Sequence, residues 1–457
     1  MTQPDQIDSE GERGKSAWQL RVSSGLFRQS AGIVIIRILG AALALLAQIF
    51  ASRLIGPEEY GKFAFAFVWL LLLGHTGTAG TSQLLYRMLS QFIETGERSL
   101  AAGLLKATAW ATIIVSGSIA LGGIGLVRSG IFGLDPDLVL LFSLMLVAVP
   151  LLSLQDLLEA IARGLDMPAL GIGPVYMLRH LSIIIGVGSM FLAGNVATAV
   201  TVVQFVLAGF VASIVLQFWL LRPHITRLIK GVVPSYRLGS WTRTAIPMAL
   251  VDLAEVAFNN VDVIILGMLL PPEQVALYFA ASRLVQLLSF VPYGVSAVTA
   301  QKYAALHVAG NRVDELQSLI GRATALSFTV TLAMAFVMTA MAGPLLGLFG
   351  ADFEEARALV PALCAGIVVA CLLGPGEDVL NMLGEERACA IAFALALAFN
   401  IALSLLLVPR IGAMGAAVGM AASLLLRGIV LAGFAYWRLR LVLPFLGARL
   451  LGTRLVP

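Results

Sequence analysis

Apolar runs of about 20 residues alternate with short polar connections from Ser30 almost to the end of the chain. Each run is long enough to cross a bilayer as a helix, whose hydrocarbon core takes about 20 residues. Twelve such spans are predicted, over about 30–53, 63–84, 103–127, 138–160, 169–192, 198–221, 244–268, 275–299, 320–341, 358–380, 388–408 and 413–436. In lipid a backbone must satisfy its own hydrogen bonds, so the spans are helices and the fold class is an all-α polytopic membrane protein. The first two runs organise the rest. Arg53-Leu54-Ile55-Gly56-Pro57-Glu58-Glu59-Tyr60-Gly61 is a tight polar turn between them, so they read as a helical hairpin.

Composition agrees with this pattern. Of 457 residues 59% are hydrophobic and 12% charged, against about 25% charged in soluble domains. The net charge of +4 is too small for a nucleic-acid footprint, and the cations cluster at the ends of spans, which suits membrane lipid headgroups. Of the 30 lysines and arginines, five fall in turns on one side (Arg53, Lys62, Arg128, Arg357, Arg410) and four within spans. The other 21 lie in segments that face the cytoplasm if the N-terminus does, so both termini are expected there. Cys364, Cys371 and Cys389, an odd number in or beside spans, read as apolar packing residues rather than a disulfide framework. Residues 1–25 lack the apolar stretch of a signal peptide and read as a mobile cytoplasmic arm.

The chain also looks repeated. The turn at Gly56-Pro57-Glu58-Glu59-Tyr60 has a counterpart at Pro271-Pro272-Glu273-Gln274, and Pro57 and Pro272 are 215 residues apart. Each turn joins the first two spans of a six-span half. The expected organisation is an N-lobe at 26–221, a cytoplasmic linker at 222–243, a C-lobe at 244–436 and a basic cytoplasmic tail at 437–457. Two halves of equal orientation imply a parallel pseudo-two-fold along the membrane normal, with a central cavity between them.

Charges inside the spans are the candidate chemistry. An arginine at mid-membrane costs about 2.5–3.5 kcal/mol on insertion scales, so Arg37, Arg179, Arg283 and Arg427 together cost on the order of 10 kcal/mol unless something polar receives them. Arg37 shares its face with Ser30, Gly40, Ala41, Ala44 and Gln48, small or polar residues that leave room for a ligand. Arg283 shares a face with Gln286 and Tyr293, while Arg179 lies nearer a span end, where snorkelling is an alternative. Arginine's planar fork matches phosphate geometry, so the expected cargo is anionic.

On the seventh span Asp252, Glu255, Asn259 and Asp262 fall within about 80° of one continuous helix and suggest an acidic cavity wall, with a coupling cation or an ion pair to an arginine as its two uses. Asp262 is expected near the outer mouth, hydrated. The fourth span ends with Asp156, Glu159 and Arg163, of which Glu159 and Arg163 form a favourable i,i+4 pair, and these read as a cytoplasmic gate. No catalytic or metal-binding spacing is present, and Gly14-Lys15-Ser16 lacks the leading glycine of a phosphate-binding loop. No enzyme activity, metal or cofactor is expected. His224 and His307 fall in solvated connections, and His75 and His180 near span ends.

The stretch Arg53–Gly61, together with Asn260-Val261-Asp262-Val263-Ile264-Ile265-Leu266-Gly267 leading to Tyr278, resembles the polysaccharide-lipid flippases of the multidrug/oligosaccharidyl-lipid/polysaccharide exporter superfamily. The resemblance implies alternating access in a bacterial cytoplasmic membrane and a cargo of undecaprenyl-diphosphate-linked oligosaccharide moved from the inner to the outer leaflet. It implies Arg37 and Arg283 as holders of the diphosphate, and a polysaccharide polymerase and export proteins as working partners. Twelve spans rather than fourteen favour a branch other than the lipid II flippases. Two alternatives stay open: a cation-coupled multidrug antiporter of the same superfamily, and a membrane enzyme of glycan polymerisation or ligation.

Overall fold

The computed structural model describes the backbone of residues 5–308 and 313–444, with side chains for residues 35–307 and 313–444. The expected N-terminal arm, 1–25, and the end of the expected tail, 445–457, fall outside the residues described with side chains. The first half consists of α1 (Asp5–Thr78), α2 (Thr81–Glu94), α3 (Arg98–Arg128), α4 (Pro136–Gly164), α5 (Pro168–Leu192) and α6 (Ala199–Ile229). The second half opens with α7 (Leu238–Phe258), α8 (Val261–Leu269) and α9 (Pro272–Val285), then a 3-10 turn at Gln286–Ser289 and α10 (Phe290–Val308). It continues through α11 (Val313–Ala340), α12 (Ala342–Gly347), a 3-10 stretch at Ala351–Ala358, α13 (Leu359–Leu373), α14 (Gly376–Met382), α15 (Glu386–Ile411) and α16 (Ala413–Leu439).

Ten helical stretches among the described residues are long and apolar enough to cross a membrane. The first of them, Ile35–Thr78, contains an elbow and counts twice. At Gly56 the backbone takes φ 79° and ψ 170°, a conformation open almost only to glycine. Pro57 then starts a new helix at the position where proline suits it. A straight helix would separate residues 48 and 60 by about 18 Å. Instead the Tyr60 hydroxyl donates to Gln48 Oε1 at 2.9 Å, so the chain doubles back. The seventh span is the pair α7 and α8, too broken to count as one long helix. Twelve crossings result, in two lobes.

The break in the seventh span corrects the continuous helix expected there. α7 ends at Phe258, Asn259 and Asn260 form a turn, and α8 restarts at Val261. Both asparagines turn their side-chain amides back onto carbonyls one turn earlier, Asn259 onto Glu255 and Asn260 onto Val256. Such local bonds compete with the helical ladder.

The elbow holds its own lobe and meets the other. Glu59 accepts the backbone N–H of Ala199 at 2.8 Å, capping α6 where free N–H groups favour a negative charge. Lys62 pairs with Glu58 and Glu59, each at 2.8 Å. A Cβ on Gly61 would overlap the Pro272 carbonyl, so this glycine lets the two repeated turns touch. Tyr60 packs against Phe279 and Phe353, each pair of ring centroids 5.8 Å apart. Ser52 donates to the Phe349 carbonyl at 3.1 Å. The lobes are therefore sealed at the elbow face by buried side chains. Elsewhere the perimeter is apolar and open, with Leu121, Ile185, Leu192 and Phe336 exposed to what is lipid in a membrane. Buried hydroxyls bond to carbonyls of their own helices, as Ser116 does to Thr112 at 2.6 Å, and Thr324 to Ile320 at 2.9 Å.

Candidate functional site

Two adjoining chambers of opposite electrical character lie one between the lobes and one within the second half. The first, about 430 Å³, is lined by Arg37, Gln48, Tyr176, Arg179, His180 and Arg283 among others. No carboxylate is among its lining residues. The second, about 570 Å³, lies in the second half and carries Glu255, Asp262, Glu377 and Asp378 with Arg283 and Arg427. Arg283, Gln286, Ser289 and Tyr293 line both chambers, so the two communicate across α9 and α10.

Arg37 stands on the first arm of α1 and reaches the other lobe. It donates to the Tyr293 hydroxyl, and its guanidinium carbon lies 5.0 Å from the Tyr293 ring centroid. Neither Asp252 nor Glu255 is its partner. Its Nε is buried and has no hydrogen-bond partner. Arg179, on α5, lies 5.5 Å above the Phe210 ring. It lines the first chamber instead of snorkelling to a surface. Arg283, near the end of α9, donates to Gln286 Oε1 at 3.0 Å and to Asn260 Oδ1 at 3.3 Å, with the Phe279 ring at 4.4 Å. Its Nε is also buried without a partner. Among the described residues Arg37, Arg179, Arg283 and Arg427 form no ion pair with a carboxylate. Aromatic faces and neutral oxygens hold them, which offsets part of the desolvation cost and leaves donors unused.

In the second chamber Asp262 is 4% exposed. It accepts from the Tyr278 hydroxyl and, at 2.9 Å, from the Val263 N–H. It therefore sits in the interior, not hydrated at a mouth as its position in the sequence suggested. The helix break explains this, because α8 re-aims every residue after Asn260. Glu255 and Asn259 line the same chamber. Arg427 stands opposite, between the Phe258 and Phe393 rings at 5.3 and 4.9 Å. Sequence reading missed Glu377 and Asp378. An acidic pair directly after Gly374-Pro375-Gly376 was the available signal, since that sequence breaks a span and frees polar side chains.

Asp252 does not line either chamber. It bonds His75 Nδ1 at 3.0 Å across the lobe boundary, and Asp156 approaches the same nitrogen to 3.9 Å. Glu159 accepts from Arg163, the i,i+4 pair expected. Gln48 lines the first chamber while accepting from Tyr60.

Comparison with known proteins places this geometry. The family described as polysaccharide biosynthesis protein matches residues 26–301, more than half of the chain, and the MatE family matches residues 247–406. No curated protein matches by sequence. Among solved structures, the fold is similar to the inward-facing conformation of a multidrug resistance MATE family transporter of the MOP superfamily. That match has 18% identity, covers 89% of this chain and 98% of that one, and has a TM-score of 0.72. It is also similar to the lipid II flippase MurJ in an inward closed conformation, with 12% identity, 89% and 87% coverage and a TM-score of 0.68. A MOP superfamily transporter from Pyrococcus furiosus, described by a reversed polarity of its binding pocket, matches at 16% identity, 90% and 95% coverage and a TM-score of 0.59. The chain belongs to the polysaccharide biosynthesis protein family and carries the fold of the MOP-superfamily transporters.

Proposed function

We propose that this membrane protein is a flippase for a lipid-linked oligosaccharide whose diphosphate is held in the first chamber. The observation that carries the reading is the cluster of Arg37, Arg179 and Arg283 around a hollow lined by no carboxylate. Three guanidinium groups at membrane depth cost on the order of 8–10 kcal/mol together on insertion scales, and a structural role would have paired them with acids. A diphosphate esterified at both ends supplies two negative charges and forked acceptors. In this reading the sugars extend into the wet second chamber and the lipid tail stays in the bilayer. The cargo is an undecaprenyl-diphosphate glycan, and it moves from the inner to the outer leaflet of a bacterial cytoplasmic membrane. With both termini in the cytoplasm, the sealed elbow face is the outer one, and polymerase and export proteins act downstream. The expected test is complementation of a flippase-deficient strain. Arg37→Ala and Arg283→Ala each abolish it at normal protein level. Full activity of both variants would remove the diphosphate assignment.

A second reading has its own support. The carboxylates of the second chamber and the MatE match over 247–406 suit a cation-coupled antiporter. Efflux of a cationic dye in cells, lost on Glu255→Gln and indifferent to Arg37→Ala, would favour it over the flippase.

A further inference from the structure

His75 is an imidazole that touches both lobes. It lies near the end of the second arm of α1, about 27 Å along the helix from Pro57. It is therefore at the face opposite the elbow. Its Nδ1 has two carboxylates within reach, one from each lobe: Asp252 of α7 at 3.0 Å and Asp156 of α4 at 3.9 Å. Asp156 Oδ2 is buried and accepts no hydrogen bond. The helices close tightly beside this cluster, since a Cβ on Gly80 would overlap the Ala245 carbonyl of α7.

We propose that His75, Asp156 and Asp252 form a proton-binding site that holds the two lobes together at the face opposite the elbow. The inference rests on the transport reading only in taking the lobes to move apart. With the imidazole protonated, one positive charge faces two carboxylates and bridges α1, α4 and α7. With it neutral, Asp156 on one lobe faces Asp252 on the other without a cation between them. Like charges at such separations in a partly dry seam repel by several times what they do in water. Losing the proton therefore loosens this seam, and gaining it closes the seam. The other charges around the cluster do not remove that repulsion. Glu159 of α4 is occupied by Arg163. Arg179 of α5 acts on Asp156 but belongs to the first chamber and reaches neither Asp252 nor Glu255 as an ion pair. Arg427 of α16 acts on Glu255 from within the second chamber.

The test follows the lobes directly. Spin labels go on the full chain in nanodiscs at Glu94→Cys and Arg387→Cys, exposed positions in the two lobes. The native cysteines are buried. No cargo is added, so the outcome is independent of what the protein carries. As pH rises from about 5.5 to about 10.5, a window wide enough to take the proton from an imidazole held by two carboxylates, the distance distribution shifts to longer values. His75→Asn removes the shift, and Asp252→Asn, which removes the acid across the seam while leaving the imidazole, removes it too. An unchanged shift in both variants, or none in the parent, would overturn the proposal. Loss of glycolipid transport with an intact pH shift would instead indict the cargo assignment alone.

Discussion

Arg37 and Arg283 each keep a buried Nε without a partner while an aromatic ring covers one face of the guanidinium. An unfilled donor on a buried cation costs about 1–3 kcal/mol, so a ligand with forked acceptors regains stability by binding there. Lysine cannot offer that fork. Arg37→Lys should keep charge attraction and lose at least one charged hydrogen bond, worth about 1.5–3 kcal/mol, or roughly ten- to hundredfold in cargo affinity. Transport titrated against cargo concentration measures this, and a lysine variant equal to the parent would mean that charge alone suffices. These arginines were legible in the sequence because a cation inside an apolar run is rare and expensive. Their partners were not legible. Tyr293 is 256 residues from Arg37, and which face of α10 meets α1 follows from lobe packing, to which the local pattern is blind. For the same reason Asp252 was placed on a cavity wall, whereas His75 draws it into the seam.

At the scale of the element, two glycines of the elbow act by different physics. Gly56 needs its backbone conformation and has open space where a Cβ would stand. Gly56→Ala should therefore cost about 1–3 kcal/mol in strain and lower the thermal unfolding temperature without touching the cargo site. Gly61 has an ordinary helical backbone but abuts the Pro272 carbonyl. Gly61→Ala should leave each lobe intact and pry the sealed face apart, impairing transport more than stability. Equal loss of stability in the two variants would contradict this division. The hairpin itself was readable from Gly56-Pro57 between apolar runs. The break of the seventh span at Asn259–Asn260 was not, because the apolar pattern continues through it. Only the asparagine amides, bonding back to Glu255 and Val256, interrupt the helical ladder.

For the whole molecule, twelve spans, two halves and a central polar space followed from periodicity, the repeated turns and the cost of charge in lipid. The separation of that space into a basic chamber and an acidic one did not, because Glu377 and Asp378 come from the far end of the chain and meet Glu255 and Asp262 only in the folded lobe. That separation suggests a division of labour, with phosphate on one side and sugar on the other, joined at Arg283. The most direct measurement is leaflet translocation of a short-chain polyprenyl-diphosphate oligosaccharide in proteoliposomes, scored by accessibility of the sugar to an added glycosidase. The account predicts translocation by the parent protein, and none above protein-free vesicles for Arg37→Ala or Arg283→Ala. Undiminished translocation by both variants, or export of a cationic drug in its place, would contradict it.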